Sequence, residues 1–321
     1  MSLGRVPLRT SPVLVLVLAG LLVGCSSGEP IVRSDDPPAR AEGTQATPTT
    51  DPGPARPGHF SRRRAMTHVR ALAGTIGVRV RATAGERRGA RYIAREFREL
   101  GYDVFIQKFP VDGSTSRNVV ARWPEARKYP IVIGGHMDSV PTSPGGNDNA
   151  SGIAAILEIA RIVRNTEQAG FLKFIAFGSE EFGTDGSHHV GSRVFVERLG
   201  PQGRRKLGGM LSVDMVADGR PLIVGTSGIG PDVLARHLYR KIEHRNIRVD
   251  YQTLCDCSDN GPFEHAGIPA GFLWSGDEPN YHDDSDTIAN MVPADLERTG
   301  KALRAFVKGV GQALLDRLRR Y

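Results

Sequence analysis

Ile131-Val132-Ile133-Gly134-Gly135-His136-Met137-Asp138 is the stretch whose reading decides the fold. Three β-branched apolar residues in a row, without polar alternation, suit a strand covered on both faces. Gly134-Gly135 ends the run. Outward from it, short apolar runs at 104–109, 118–122, 171–177, 210–213, 222–224 and 270–274 predict further strands. Helical spacing of apolar residues predicts helices at 65–75, 86–100, 153–163 and 231–243, and one long terminal helix at 293–318. Strands alternating with helices predict an α/β fold, a three-layer α/β/α sandwich around a mixed, mostly parallel sheet.

The 321 residues are 40% hydrophobic and 24% charged, with a net charge of +7. That composition excludes a wholly disordered or collagen-like chain, and three cysteines are too few for a disulfide scaffold. Arg5 and Arg9 precede an apolar stretch at 13–24, an n-region and h-region that mark export. The stretch ends Leu22-Val23-Gly24-Cys25-Ser26, which resembles the lipobox of bacterial lipoproteins and implies cleavage before Cys25 and lipid on its sulfur. An ordinary cleaved signal with an incidental cysteine is the alternative. Gly24-Cys25-Ser26-Ser27-Gly28 also matches a nucleophile elbow, but without the strand–turn–helix context which that motif needs. Residues 26–58 turn to Pro, Thr, Ser, Ala, Gly and Asp with no apolar period, the composition of a disordered tether. The expected organisation is signal at 1–25, tether at 26–58 and one folded domain at 59–321.

In covered sheets function collects past the carboxyl ends of the strands. His136-Met137-Asp138, Glu180-Glu181 and Asp214 each follow a predicted strand, and Tyr281-His282-Asp283-Asp284-Ser285-Asp286-Thr287 lies beyond another. Asn147-Asp148-Asn149-Ala150-Ser151-Gly152 opens a helix. Brought to one rim uncompensated, these carboxylates would repel and raise one another's pKa values. Divalent cations remove that repulsion. Imidazole and carboxylate donors without a thiolate suit zinc or a neighbouring metal in hydrolytic use. Two histidines and three carboxylates suit two metals sharing a bridging carboxylate, about 3.5–4 Å apart.

In order and spacing these residues resemble the co-catalytic di-zinc aminopeptidases, a family that includes secreted bacterial leucyl-type aminopeptidases, glutamate carboxypeptidases and glutaminyl cyclases. The resemblance covers residues 59–321, with support from Phe263-Glu264-His265-Ala266-Gly267-Ile268-Pro269. It implies two zinc ions per domain. One is held by His136, Asp148 and Asp214 and the other by Asp148, Glu181 and His282, Asp148 bridging ahead of a cis peptide seen in this family. It implies Glu180 as general base and Tyr281 as a donor to the developing oxyanion. Asp138 is suited to fix the ring of His136 through its other N–H, and Asp286 that of His282. The implied activity is hydrolysis of the N-terminal peptide bond of peptides.

Carboxypeptidase or glutaminyl cyclase chemistry on the same site is the nearest alternative. The cyclases work with one zinc, whereas His136 and Asp214 are both present here. A second exopeptidase family with similar ligand order carries an inserted domain of about a hundred residues, too long for the interval between Asp214 and His282. A non-catalytic binding module would have no need of Glu180.

Cys255-Asp256-Cys257 departs from the family pattern, where a loop disulfide near the cleft has wider spacing. In an exported chain a bridge is expected, with free thiols or metal capture as alternatives. Ser258-Asp259-Asn260 resembles a cleft-lining segment, with Asn260 where many relatives carry histidine. His188-His189 read as a loop, His265 as packing or capping, and His59, His68, His237 and His244 as residues in or near polar helices. The basic runs Arg62-Arg63-Arg64, Arg204-Arg205-Lys206 and Arg317-Leu318-Arg319-Arg320 interleave no aromatics. They suit solvated faces or an anionic envelope surface, and nucleic acid is not an expected partner. Peptide substrates, a monomeric state and a location outside the membrane through lipid on Cys25 are expected.

Overall fold

A computed structural model of the chain describes residues 58–321. The expected signal, Cys25 and the expected tether short of Gly58 lie outside the described residues. The strands are β1 (Asp103–Val111), β2 (Ser114–Arg122), β3 (Ile131–His136), β4 (Leu172–Phe177), β5 (Gly209–Val213), β6 (Leu222–Thr226), β7 (Val249–Thr253) and β8 (Ala270–Ser275). They form one sheet in the order β1-β2-β4-β3-β5-β8-β6-β7. β4, β3, β5 and β8 run parallel, while β1 with β2, β2 with β4, and β6 with β8 pair antiparallel.

The helices are α1 (Arg62–Val69), continued by a π-helical turn at Arg70–Ile76, α2 (Ala84–Glu99), α3 (Gly152–Val163), α4 (Glu167–Gly170), α5 (Val190–Arg204), α6 (Val233–Glu243), α7 (Gly261–His265), α8 (Pro293–Val307) and α9 (Gln312–Leu318). Among the described residues no helix is long and apolar enough to cross a membrane.

Side chains of β3 alternate between two cores, as the pleat requires. Ile131 and Ile133 join Val69, Ile93, Phe97, Ile156 and Phe306 from the helices of one face. Val132 joins Phe195 and Phe263, from α5 and α7, on the other. Phe97, Tyr102 and Phe174 interlock with ring centroids 5.6–6.0 Å apart, and the Tyr102 hydroxyl donates to the Ala160 carbonyl at 2.9 Å. Both faces are covered, which gives the three-layer sandwich.

Besides the short helices α4 and α7, three longer elements differ from the sequence reading. Residues 190–204 form a helix, hidden because Gly191, Gly200, Pro201 and Gly203 dilute its apolar period. β7 is an edge strand whose half-exposed residues show little alternation. The terminal helix is two helices, interrupted between Val307 and Gln312 where Gly309 and Gly311 stand.

The topology makes the site. From β3 the chain crosses by α3 to β4 on one side, then returns past β3 by α5 to β5 on the other. The strand order therefore reverses beside β3, which opens a crevice at the carboxyl ends of neighbouring parallel strands. Gly135 keeps that crevice tight, since a Cβ there would stand 2.5 Å from the Val213 carbonyl oxygen.

Candidate active site

Four strands that are neighbours in the sheet deliver most of the side chains. His136 is the last residue of β3, Glu180 and Glu181 follow β4, Asp214 follows β5, and His282 lies in the segment after β8. Asp148 enters from the turn ahead of α3, where the Asp148–Asn149 peptide is cis. His136 Nε2 lies 3.0 Å from Asp148 Oδ1 and 3.2 Å from Asp214 Oδ1. His282 Nε2 lies 3.3 Å from Asp148 Oδ2 and 3.2 Å from Glu181 Oε2. Five of these side chains thus fall into two sets, joined through the two oxygens of Asp148. Glu180 stands beside the first set, its Oε2 3.9 Å from His136 Nε2.

These spacings fit metal. Ligands about 2.0–2.1 Å from a tetrahedral zinc lie roughly 3.3 Å from one another, close to the separations within each set. The donors are imidazole nitrogens and carboxylate oxygens, and Glu181 Oε1 is buried without a hydrogen-bond partner. The residues fit divalent metal.

Burial and crowding set the electrostatics. Burial alone would depress His136, but Asp214, Glu180 and Asp148 overturn that and hold its pKa well above the ordinary value. His282 is likewise opposed by burial, yet bonds to Asp148 and Glu181 raise it to about 10. Burial and then the neighbouring carboxylates push Glu180 well up, with His136 opposing, and burial and Asp148 push Glu181 to about 7. Asp148 goes below its usual value, because both histidines outweigh its burial. Cation charge is what this cluster demands.

The supporting shell differs from expectation at two carboxylates. Asp138 Oδ1 is 3.8 Å from His136 Nδ1, beyond a hydrogen bond. Its oxygens accept the backbone N–H groups of Glu180 and Glu181 at 3.1 and 3.2 Å, so it shapes the turn after β4 while facing the imidazole at ion-pair distance. Asp286 accepts the backbone N–H groups of Asn147 and Asp148 at 2.6 and 3.1 Å, and so holds the bridging loop where a contact to His282 was expected. In both cases turn amides at a strand or helix end need an acceptor, and a buried carboxylate meets two at once. Ser258 Oγ donates to Asp214 Oδ2 at 2.9 Å.

Tyr281 sits on the rim, 54% exposed, its ring stacked on His282 at 3.8 Å between centroids. Cys257 lines the cleft, bonded through sulfur to Cys255. Asn260 turns away, donating to Glu264 Oε1 at 2.9 Å and Ser227 Oγ at 3.2 Å. His265 pairs with Asp256 at 2.8 Å on the surface. Asp283 and Asp284 are exposed.

Sequence reasoning missed His189. It leaves the loop inward, 5% exposed, with Nε2 2.9 Å from Glu180 Oε1. Burial, then the neighbouring His188, lowers its pKa to about 3, so the ring is neutral at physiological pH. The available signal was position: two adjacent histidines return within ten residues of the paired glutamates.

The fold, with two imidazoles and four carboxylates at the carboxyl edge of its sheet, is one the chain shares with solved aminopeptidases. The chain belongs to peptidase family M28, whose model matches residues 118–307. It is 28% identical over 260 residues to leupeptin-inactivating enzyme 1 of Streptomyces exfoliatus, covering 73% of this chain and 58% of that one. It is 32% identical over 238 residues to a probable lipoprotein aminopeptidase, LpqL, of Mycobacterium tuberculosis, covering 61% and 45%. BSAP, a zinc aminopeptidase from Bacillus subtilis, superposes with a TM-score of 0.72 at 20% identity, over 78% of this chain and 95% of that one. The chain spans about half the length of the curated relatives it matches.

Proposed function

We propose that this chain is a two-zinc aminopeptidase that removes the N-terminal residue of peptides. The observation that carries the reading is the reach of Asp148, whose two oxygens each meet a different histidine Nε2. His136, Asp148 and Asp214 would hold one ion, and Asp148, Glu181 and His282 the other. Zinc bound there supplies Lewis acidity, polarising the scissile carbonyl and acidifying water. Glu180, beside the first set, takes the proton of the attacking water and passes it to the leaving amine nitrogen. Its burial among carboxylates raises its proton affinity, which suits a group that must accept and then return a proton. Burial, with Asp148 and Glu181 adding, also holds the Tyr281 hydroxyl protonated, as a donor to the developing oxyanion must be.

In the same proposal Cys25 carries lipid and residues 26–58 tether the domain outside the membrane. Support comes from the lipobox-like sequence and from the description of the M. tuberculosis relative as a lipoprotein. Labelling of the full chain by a palmitate analogue, lost in Cys25→Ser, tests this part.

The activity is tested by hydrolysis of a panel of aminoacyl-p-nitroanilides, with the chain metal-free, zinc-reloaded, and as Glu180→Ala. Zinc-dependent release is expected, falling by about 10²–10⁴-fold in the variant with zinc retained. No release by the zinc-loaded chain would overturn the aminopeptidase reading.

A further inference from the structure

Glu180 stands on a turn past a strand end, and a carboxylate there can rotate. Something has to decide which oxygen faces the cleft. One oxygen, Oε1, lies 2.9 Å from His189 Nε2, while the other, Oε2, lies on the His136 side, 3.9 Å from its Nε2.

The backbone makes this contact a fixed one. His189 N–H donates to the Glu180 carbonyl and Val190 N–H to the Ser179 carbonyl, each at 2.8 Å, so the two segments are clamped side by side. His189 itself adopts a left-handed conformation, φ 52°, which turns its side chain in ahead of α5. Arg81 ties the intervening loop by donating to the carbonyls of Glu181 and Ser187 at 2.9 and 2.7 Å. The ring of His188 stands edge-on to His189, 4.2 Å between centroids, and Phe182 lies against His188 at 4.6 Å.

We infer that His189 is the positioning residue for Glu180: its Nε2–H holds Oε1, so that Oε2 is the oxygen presented to the reacting water. The inference rests on the reading of Glu180 as the general base. Nothing in it requires His189 to touch substrate or metal.

The test uses the full chain, loaded with zinc and assayed on an aminoacyl-p-nitroanilide. His189→Leu keeps the volume and removes the donor. We expect kcat to fall by about 10- to 100-fold, the range for a lost orienting partner, with zinc content unchanged and KM within about twofold. His189→Gln, whose side-chain amide can donate from similar reach, should recover most of the loss. Glu180→Ala combined with His189→Leu should be no slower than Glu180→Ala alone. Wild-type kcat in His189→Leu, or a Gln variant as slow as the Leu variant, would overturn the assignment. Full activity in Glu180→Ala would instead remove the base reading.

Imidazole ¹H–¹⁵N spectra of the metal-free chain decide the geometry independently of activity. An Nε2–H signal that vanishes in His189→Leu and moves in Glu180→Gln is expected. A His189 ring protonated at Nδ1 alone would overturn the positioning role.

Discussion

Asp286 Oδ2 accepts the backbone N–H of Asp148 at 3.1 Å, and its other oxygen accepts that of Asn147 at 2.6 Å. The residue that joins the two histidine sets is therefore aimed by a carboxylate about 140 positions further along the chain. Asn at position 286 would keep one acceptor and turn an NH₂ toward an N–H donor. Asp286→Asn is expected to weaken zinc binding by about 10- to 100-fold and to cost about 1–3 kcal/mol of stability. Chelator competition and urea unfolding measure the two. Unchanged zinc affinity would mean that the loop needs no such anchor.

Arg79 braces the same loop from beneath. Its fully buried guanidinium donates to the carbonyls of Met137, Leu72, Gly77, Pro144 and Gly145 at 2.5–3.2 Å. Burial lowers its pKa only to about 10, so it stays charged at neutral pH. Arg79→Met would orphan several buried carbonyls and is expected to destabilise the fold by about 3–5 kcal/mol. Arg79→Lys should rescue little, because an ammonium lacks the planar fork that reaches several acceptors together. Urea midpoints of the three proteins decide this, and a Lys variant as stable as wild type would contradict it.

Arg79 also shows where sequence reading stops. The strand 131–133 and the chemistry-bearing residues past four strand ends were legible, because burial on both faces leaves a continuous apolar run and reactive side chains gather where such runs end. Arg79 sits in an unremarkable polar stretch, and its role exists only once the Gly145–Asp148 turn folds over it. Asp138 and Asp286 were legible as members of the cluster but not in what they hold, since a carboxylate's partner depends on which turn amides point at it. His189 was lost because α5 is diluted by glycines, so nothing in the linear pattern showed the chain doubling back to Glu180.

Metal stoichiometry follows from the shared position of Asp148. Two zinc ions per chain are expected by elemental analysis after dialysis. Asp214→Asn and Glu181→Gln should each retain one, whereas Asp148→Asn should hold neither tightly, because it contributes to both sets. Zinc at a hundred times Kd stabilises the folded state by about 2.7 kcal/mol per site, so Tm should drop on chelation and barely move in Asp148→Asn. Two ions retained by Asp148→Asn would rule out the bridge.

Acid sensitivity should have a source remote from the metal cluster. His68 Nδ1 lies 2.6 Å from the Tyr92 hydroxyl, and burial, with Arg64 adding, lowers its pKa from 6.5 to about 4. The unfolded chain takes up this proton near pH 6.5, but the folded chain only near pH 4. Between those values the unfolded state binds more protons, so this contribution is complete above pH 6.5 and is lost as pH falls toward 4. In the metal-free chain, unfolding free energy measured at pH 7 and pH 5 should fall by on the order of 1–2 kcal/mol through His68 alone. His68→Phe keeps an aromatic ring and removes the titration, so that part of the drop should disappear. An equal drop in the variant would place the acid sensitivity elsewhere, with the buried carboxylates as the next groups to substitute.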